Sequence, residues 1–243
     1  MISSGWREKR KVIKGKNVII VANRYLEETD TETIYTMIES SAIKKKVVDT
    51  VHIYQQIKIS DCSNYDFNDC NIYVEGLEQK IQDNVIKDSI RNCLFFNCTI
   101  ISSAENNIQF RYCMISQVDF DLKYIENLDF SACVMNGVRL GKLRRKEGKY
   151  EGQLIDHLSF NSFIDDKAIL NINNVYIFGY VDWIWYHGTH MISLKKMTIH
   201  CDNDINIACL NGDFIYNAVK NKTINIINDK FTIHDYAEEQ DTI

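Results

Sequence analysis

Two sets of residues in this chain are of types that ligate metals or act in acid–base chemistry. The first is Cys70, Cys93, Cys113 and Cys133, the last three spaced by twenty residues and the first displaced by three more. A structural zinc centre needs four ligands converging on one point in tetrahedral geometry. A fixed repeat does the opposite and spreads identical slots along an axis. Small, buried, apolar thiols account for such a column without a metal. The second set is His187, His190 and His200, with Cys201 beside the last. His187-Gly188-Thr189-His190 puts two imidazoles on a tight turn, with Asp182 nearby. That spacing suits a metal-dependent hydrolase or an acid–base pair. His200 and Cys201 are adjacent on a predicted strand, so they face opposite sides and at most one can join the turn. No nucleophile elbow, phosphate loop or acidic metal-loop spacing occurs. Asp165-Asp166 before Lys167 reads as a turn. No cofactor is called for.

A third group is aromatic. Val181, Trp183 and Trp185 alternate along one predicted strand, with Tyr176, Tyr180 and Tyr186 close by. Such a cluster is either core or, if exposed, an interface or a sugar-stacking platform. Trp183, Trp185 and Tyr186 are the expected partner-contact residues.

The elements that must position these residues follow from pattern. The chain has 243 residues, 45% hydrophobic and 25% charged, with net charge -5. This is globular composition, long enough for a core that needs no disulfide scaffold. The charge is too small to imply a nucleic-acid partner. No apolar leader follows Met1, and no run approaches the roughly 18 apolar residues of a membrane helix. The expectation is a soluble, cytoplasmic protein without a membrane partner, its eight cysteines free. Proline is absent, which suits a repetitive sheet because proline removes a ladder donor.

Residues 1–16 are basic and read as a solvated arm; Val18–Val21 reads as a strand. Thr29-Asp30-Thr31-Glu32 has the form of a capping box. Ile34, Met37 and Ile38 follow at helical spacing, then Lys44-Lys45-Lys46, so a helix is predicted over about 30–46. It would cap the open edge of the sheet that follows.

From Ile57 the period becomes five. Between Val85 and Leu140, eleven of the twelve slots at that period are apolar, Glu105 being the exception. Short apolar runs at a fixed period bury themselves only by stacking, which yields a repeat architecture. Phe67, Ile90, Phe110 and Phe130 would form an internal stack of large side chains, and the cysteines a stack of small ones. The three-residue displacement places a polar, protruding insertion at 78–84.

Val118-Asp119-Phe120, Leu128-Asp129-Phe130, Cys98-Thr99-Ile100, Cys113-Met114-Ile115 and Cys133-Val134-Met135 carry a small-then-large pentad. With these residues the stretch 57–140 resembles the pentapeptide-repeat proteins. The resemblance implies a mainly β protein, a right-handed quadrilateral β-helix of about four coils. The expected organisation is an N-terminal strand and helix cap over 1–50 and the β-helix over 51–140. A β-rich region over 141–243 would be either an irregular continuation or a separate sheet. Candidate strands there are Leu170–Phe178, Val181–Tyr186, Met191–Cys201, Ile205–Leu210, Phe214–Val219, Thr223–Ile227 and Phe231–His234.

Flat faces with short turns suit recognition more than enclosing a substrate. The expected function is therefore a non-enzymatic interaction or assembly protein, compatible with self-association and with a viral or phage origin. Some pentapeptide-repeat proteins mimic DNA. Residues 51–140 hold twelve Asp/Glu against seven Lys/Arg, a balance of 7 − 12 = −5, which makes mimicry a lesser alternative. The other alternative is an enzyme using His187 and His190.

Overall fold

A computed structural model describes residues 10–21, 54–75, 89–102, 106–122, 124–141, 145–146, 149–150, 154–162, 169–188, 191–201, 203–209, 212–227 and 230–235. The strands begin with β1 (Lys11–Lys14), β2 (Asn17–Val21), β3 (Tyr54–Lys58), β4 (Tyr65–Asn68), β5 (Asn71–Glu75) and β6 (Ile90–Arg91). Next come β7 (Leu94–Phe96), β8 (Thr99–Ser102), β9 (Asn106–Arg111), β10 (Met114–Ser116), β11 (Asp119–Leu122), β12 (Tyr124–Ser131) and β13 (Val134–Leu140). A small antiparallel hairpin pairs β14 (Arg145–Lys146) with β15 (Lys149–Tyr150). Then follow β16 (Leu154–Asn161), β17 (Leu170–His187), β18 (Ile192–Leu194), β19 (Met197–Cys201) and β20 (Ile205–Cys209). Helix α1 (Gly212–Lys220), β21 (Ile224–Ile226) and β22 (Phe231–Asp235) complete the order.

Apart from the hairpin, the strands among the described residues belong to one sheet and pair in parallel, in three ladders. The first joins β1, β4, β7, β10, the start of β13, the start of β17 and β18. The second joins β3, β2, β5, β8, β11, the end of β13, the middle of β17, β19 and β21. The third joins β6, β9, β12, β16, the end of β17, β20 and β22. The protein is mainly β, and a long parallel sheet of this kind is consistent with a β-helix. The ladders run on through β16–β22, so the C-terminal strands stack on the same sheet as the repeat.

The core lies inside the ladders. Phe110, Phe130, Phe160 and Tyr186 are in register and fully buried. Their rings stack at 5.4, 5.9 and 5.3 Å between centroids. Cys93, Cys113 and Cys133 occupy one buried slot on successive turns. Cys113 Sγ donates to the Ile90 carbonyl at 3.3 Å and Cys133 Sγ to the Phe110 carbonyl at 3.3 Å. The thiol is thus small enough for the slot and also satisfies a carbonyl of the preceding turn. Burial, with Cys133 and Cys93 adding to it, pushes the Cys113 thiol up and holds it neutral.

The bends between ladders require left-handed backbone. Asp69, Asn97, Gln117, Gly137 and Asn174 have φ of 54°, 52°, 54°, 66° and 56° at one bend. Asn64, Asn92, Tyr112 and Ala132 have φ of 61°, 54°, 55° and 50° at another. Asn, Asp and Gly tolerate this region best, which is why they recur there. Bend amides donate onward: Asp69 N–H to Phe96 O at 3.0 Å, Asn97 N–H to Ser116 O at 3.1 Å, Gln117 N–H to Asn136 O at 2.9 Å. Even the corners therefore leave few unpaired backbone groups.

Four expectations change. The basic stretch before Asn17 is no solvated arm from residue 10 onward. β1 pairs with β4, Ile13 is buried, and Arg10 forms an ion pair with Asp66. Phe67 and Cys70 belong one pentad away from the columns assigned to them. Phe67 is in register with Phe95, and the amide of Thr99 donates to the Cys70 carbonyl, which sets Cys70 beside Cys98. This turn is 95 − 67 = 28 residues long, an insertion of eight over the twenty-residue turn. A period of five fixes an insertion only modulo five, so three and eight read alike. Phe214–Val219 is helix, within α1, because Ile215 and Ala218 fall on one buried helical face while Tyr216 points out. Leu170–Phe178 and Val181–Tyr186 are one strand, β17, that spans two ladders. The helix expected at 30–46 and the insertion at 78–84 lie outside the described residues.

Candidate functional site

The outer side of the third ladder gathers the polar and aromatic residues. Because its strands pair in parallel and in register, side chains two residues apart form parallel rows across it. One row is Asn107, Asn127, His157, Trp183, Asn206 and Thr232. The next is Gln109, Asp129, Ser159, Trp185, Ala208 and His234. The third is Arg91, Arg111, Ser131, Asn161 and His187.

Asp129 is the hub of the polar end. Its Oδ2 accepts from Gln109 Nε2 at 3.0 Å and Asn161 Nδ2 at 2.8 Å, and its Oδ1 from Ser131 Oγ at 2.7 Å. Asn127 Nδ2 donates to Asn107 Oδ1 at 2.7 Å alongside. Outward side chains are ordinarily solvated, yet Asn107, Gln109 and Ser131 are 8%, 5% and 0% exposed. Burial raises the Asp129 pKa, against the three donors and His187, which favour the carboxylate. His157 Nδ1 and Asn161 Oδ1 are also buried, with no hydrogen-bond partner among the described residues.

The aromatic end is a run of stacked rings. Trp183 and Trp185 are half-buried, with centroids 5.5 Å apart. His187 stacks on Trp185 at 5.8 Å and 8° between planes. His234 lies 4.9 Å from Trp183, its Nε2 meeting Asn206 Oδ1 at 3.1 Å. Burial lowers the His187 pKa, and Asp129 pulls it the other way.

Trp183 and Trp185 share one side of the strand, as their alternation implied, and that side faces outward; Val181 and Tyr186 do not share it. Both are fully buried: Tyr186 by plain alternation with Trp185, and Val181 because the alternation shifts phase between Asp182 and Trp183. Tyr186 is a core ring against Phe160, and His187 and His234 flank the tryptophans in its stead. His187 and His200 are not brought together: His187 ends the third-ladder stretch of β17, and His200 sits in the second ladder opposite Phe178. His190 lies outside the described residues. Among the described residues, no three His, Cys, Asp or Glu side chains form a metal-binding group. Sequence reasoning missed Asp129, Gln109, Asn161 and His234. The twenty-residue spacing carried the signal for the first two, since 129 − 109 = 20 sets Gln109 beside Asp129.

Comparison of the chain with protein-family models, with curated proteins and with solved structures finds no match.

Proposed function

We propose that this chain is a non-enzymatic interaction or assembly protein, built as a right-handed quadrilateral β-helix of the pentapeptide-repeat kind, that docks a protein partner on the outer side of its third ladder. About four coils over 57–140, one of them lengthened by eight residues, would carry the wider C-terminal coils. The observation that carries this reading is the outward, half-buried pair Trp183 and Trp185, stacked between His187 and His234. Tryptophan on a rigid strand offers large apolar area at little entropic cost, which is what interface anchors require. The polar rows beside it would supply hydrogen bonds at the rim. No helix among the described residues is long and apolar enough to cross a membrane. The partner is a protein rather than nucleic acid, met in the cytoplasm, or in the virion if the chain is viral. The test is affinity capture with the full chain and with Trp183→Ala/Trp185→Ala. Capture should fall at least about tenfold in the variant while its far-UV circular dichroism stays unchanged. Equal capture by the two proteins refutes the docking surface.

A second reading rests on Asp129 and His187, two titratable groups on one outer side whose pKa values burial displaces toward the neutral forms. A carboxyl and an imidazole on one side are the groups that proton-transfer catalysis uses. A hydrolytic activity lost in Asp129→Asn but kept in the tryptophan variant would favour it.

A further inference from the structure

Cys93, Cys113 and Cys133 are small thiols in a small slot; Cys62 is a small thiol in a large one. Ser63 pairs with Arg91, which sets Cys62 over Ile90 in the column that continues through Phe110, Phe130, Phe160 and Tyr186. Isoleucine or an aromatic ring fills that slot on each of those turns, and here it holds only a cysteine. The side chain reaches across to Cys93 of the next turn. The two sulfurs lie 4.0 Å apart, and Cys93 Sγ also donates to the Cys62 carbonyl at 3.3 Å. Both residues are buried.

Two sulfurs at this separation suit one kind of bond. A disulfide needs about 2.05 Å, so the two segments would have to close by about 2 Å against the stack that spaces them. Zinc needs four ligands converging on one point, and among the described residues no three His, Cys, Asp or Glu form such a group. A soft d10 ion takes two thiolates on opposite sides. Two metal–sulfur bonds of about 2.3 Å span about 4.6 Å in line, so these sulfurs need part by only about 0.6 Å. We propose that Cys62 and Cys93 form a two-thiolate site for a soft monovalent cation, cuprous copper, which thiolate ligands select. Binding is an exchange. The ion replaces the two thiol protons, which leave to solvent, and no electron is transferred. The product carries one net negative charge. Arg10, which pairs with Asp66 and donates to the Tyr65 carbonyl at 3.0 Å, favours negative charge at Cys93. The way in is short. Cys62 follows a single 3-10 turn, Ile59–Asp61, closed by its own amide to the Ile59 carbonyl at 3.0 Å. Its chain neighbours Asp61 and Ser63 are exposed.

Anaerobic titration of the reduced full chain with cuprous ion, against a competing chromogenic chelator, tests this, together with X-ray absorption at the copper edge. The expected result is one copper retained per chain with two sulfur neighbours. Cys62→Ser should weaken retention more than about a hundredfold, beyond the loss that a merely supporting group causes. Cys70→Ser, which removes the thiol beside Cys98, should leave the copper in place, so the assignment can fail even if Cys62→Ser does not fold. A chain that yields its copper to the chelator overturns the proposal. So does a copper shell other than two sulfurs, retention that survives in folded Cys62→Ser, or copper lost in Cys70→Ser.

Discussion

At each bend between ladders a single residue carries the cost of turning the chain. Gly137 stands at φ 66° in the column that Asp69, Asn97, Gln117 and Asn174 fill elsewhere. A Cβ placed there would meet nothing closer than Gln117 Cγ at 3.8 Å, so space is not the constraint. The backbone is: a left-handed conformation costs an ordinary L-residue about 1–2 kcal/mol. Gly137→Ala should therefore lose about 1 kcal/mol in denaturant unfolding, and Gly137→Asn should lose much less. Asp129 makes a second prediction at this scale, and its sign is fixed by linkage. Its pKa in the fold is raised above the unfolded value, so the folded state holds its proton longer than the unfolded state does. Its contribution to stability is then largest below the unfolded pKa and falls as pH rises toward the folded one. Asp129→Asn removes that dependence. The stability of the variant relative to wild type should rise as pH is raised from about 4, the unfolded carboxylate value, and then level off. A flat difference in unfolding free energy across that range contradicts the burial argument.

At the level of elements, the regular turns were readable and their exceptions were not. The pentads from Ile90 to Leu140 set their apolar slots inward, so the register of β9 against β12 and of β10 against β13 could be counted from spacing alone. The insertion before β6 could not, because a five-residue period returns the same phase after three residues or eight. Beyond Leu140 the count fails for a related reason. The turn from Met135 to Ile172 is 172 − 135 = 37 residues, yet it returns to the same ladder. Register there is held by packing, with Phe160 and Tyr186 continuing the ring column that Phe110 and Phe130 begin. α1 was misread because Phe214, Ile215, Tyr216 and Val219 favour strands by type, and tertiary packing overrode that preference. The N-terminus of α1 is fixed from a distance: Gly212 N–H donates to Asp235 Oδ2 of β22 at 2.8 Å. The candidate surface was half legible: alternation set the two tryptophans on one side and by itself put Tyr186 on the other, but the one-residue shift of phase that sends Val181 into the core had no signal in the sequence. The ring column yields a prediction. Phe130 is fully buried, stacks on Phe110 and Phe160 and meets Phe120 edge to face. Phe130→Ala should cost about 3–5 kcal/mol, read from urea unfolding. A loss below about 1 kcal/mol would mean that the column does not hold the ladders together.

Over the whole molecule, stability should depend on position along the stack. Each turn touches only its neighbours, so the free energy is close to a sum of turns and of the contacts between them. A turn in the middle gains from two neighbours and a terminal turn from one. The middle here is also the best buried. The inward residues of β12, β13 and β16, such as Leu128, Phe130, Met135, Leu158 and Phe160, are all fully buried. In β22, Phe231 and Ile233 are half-buried, and the strand packs against β20 and α1. Amide hydrogen exchange should grade accordingly. Amides of β12, β13 and β16 should exchange last, near the rate set by global unfolding, and those of β22 and β18 first, by local fraying. Substituting Phe130 would then speed exchange in the middle turns and leave β22 nearly unchanged, because the ends already open on their own. Uniform protection from β9 through β22 would instead require a single cooperative unit, and the additive picture of the stack would fail.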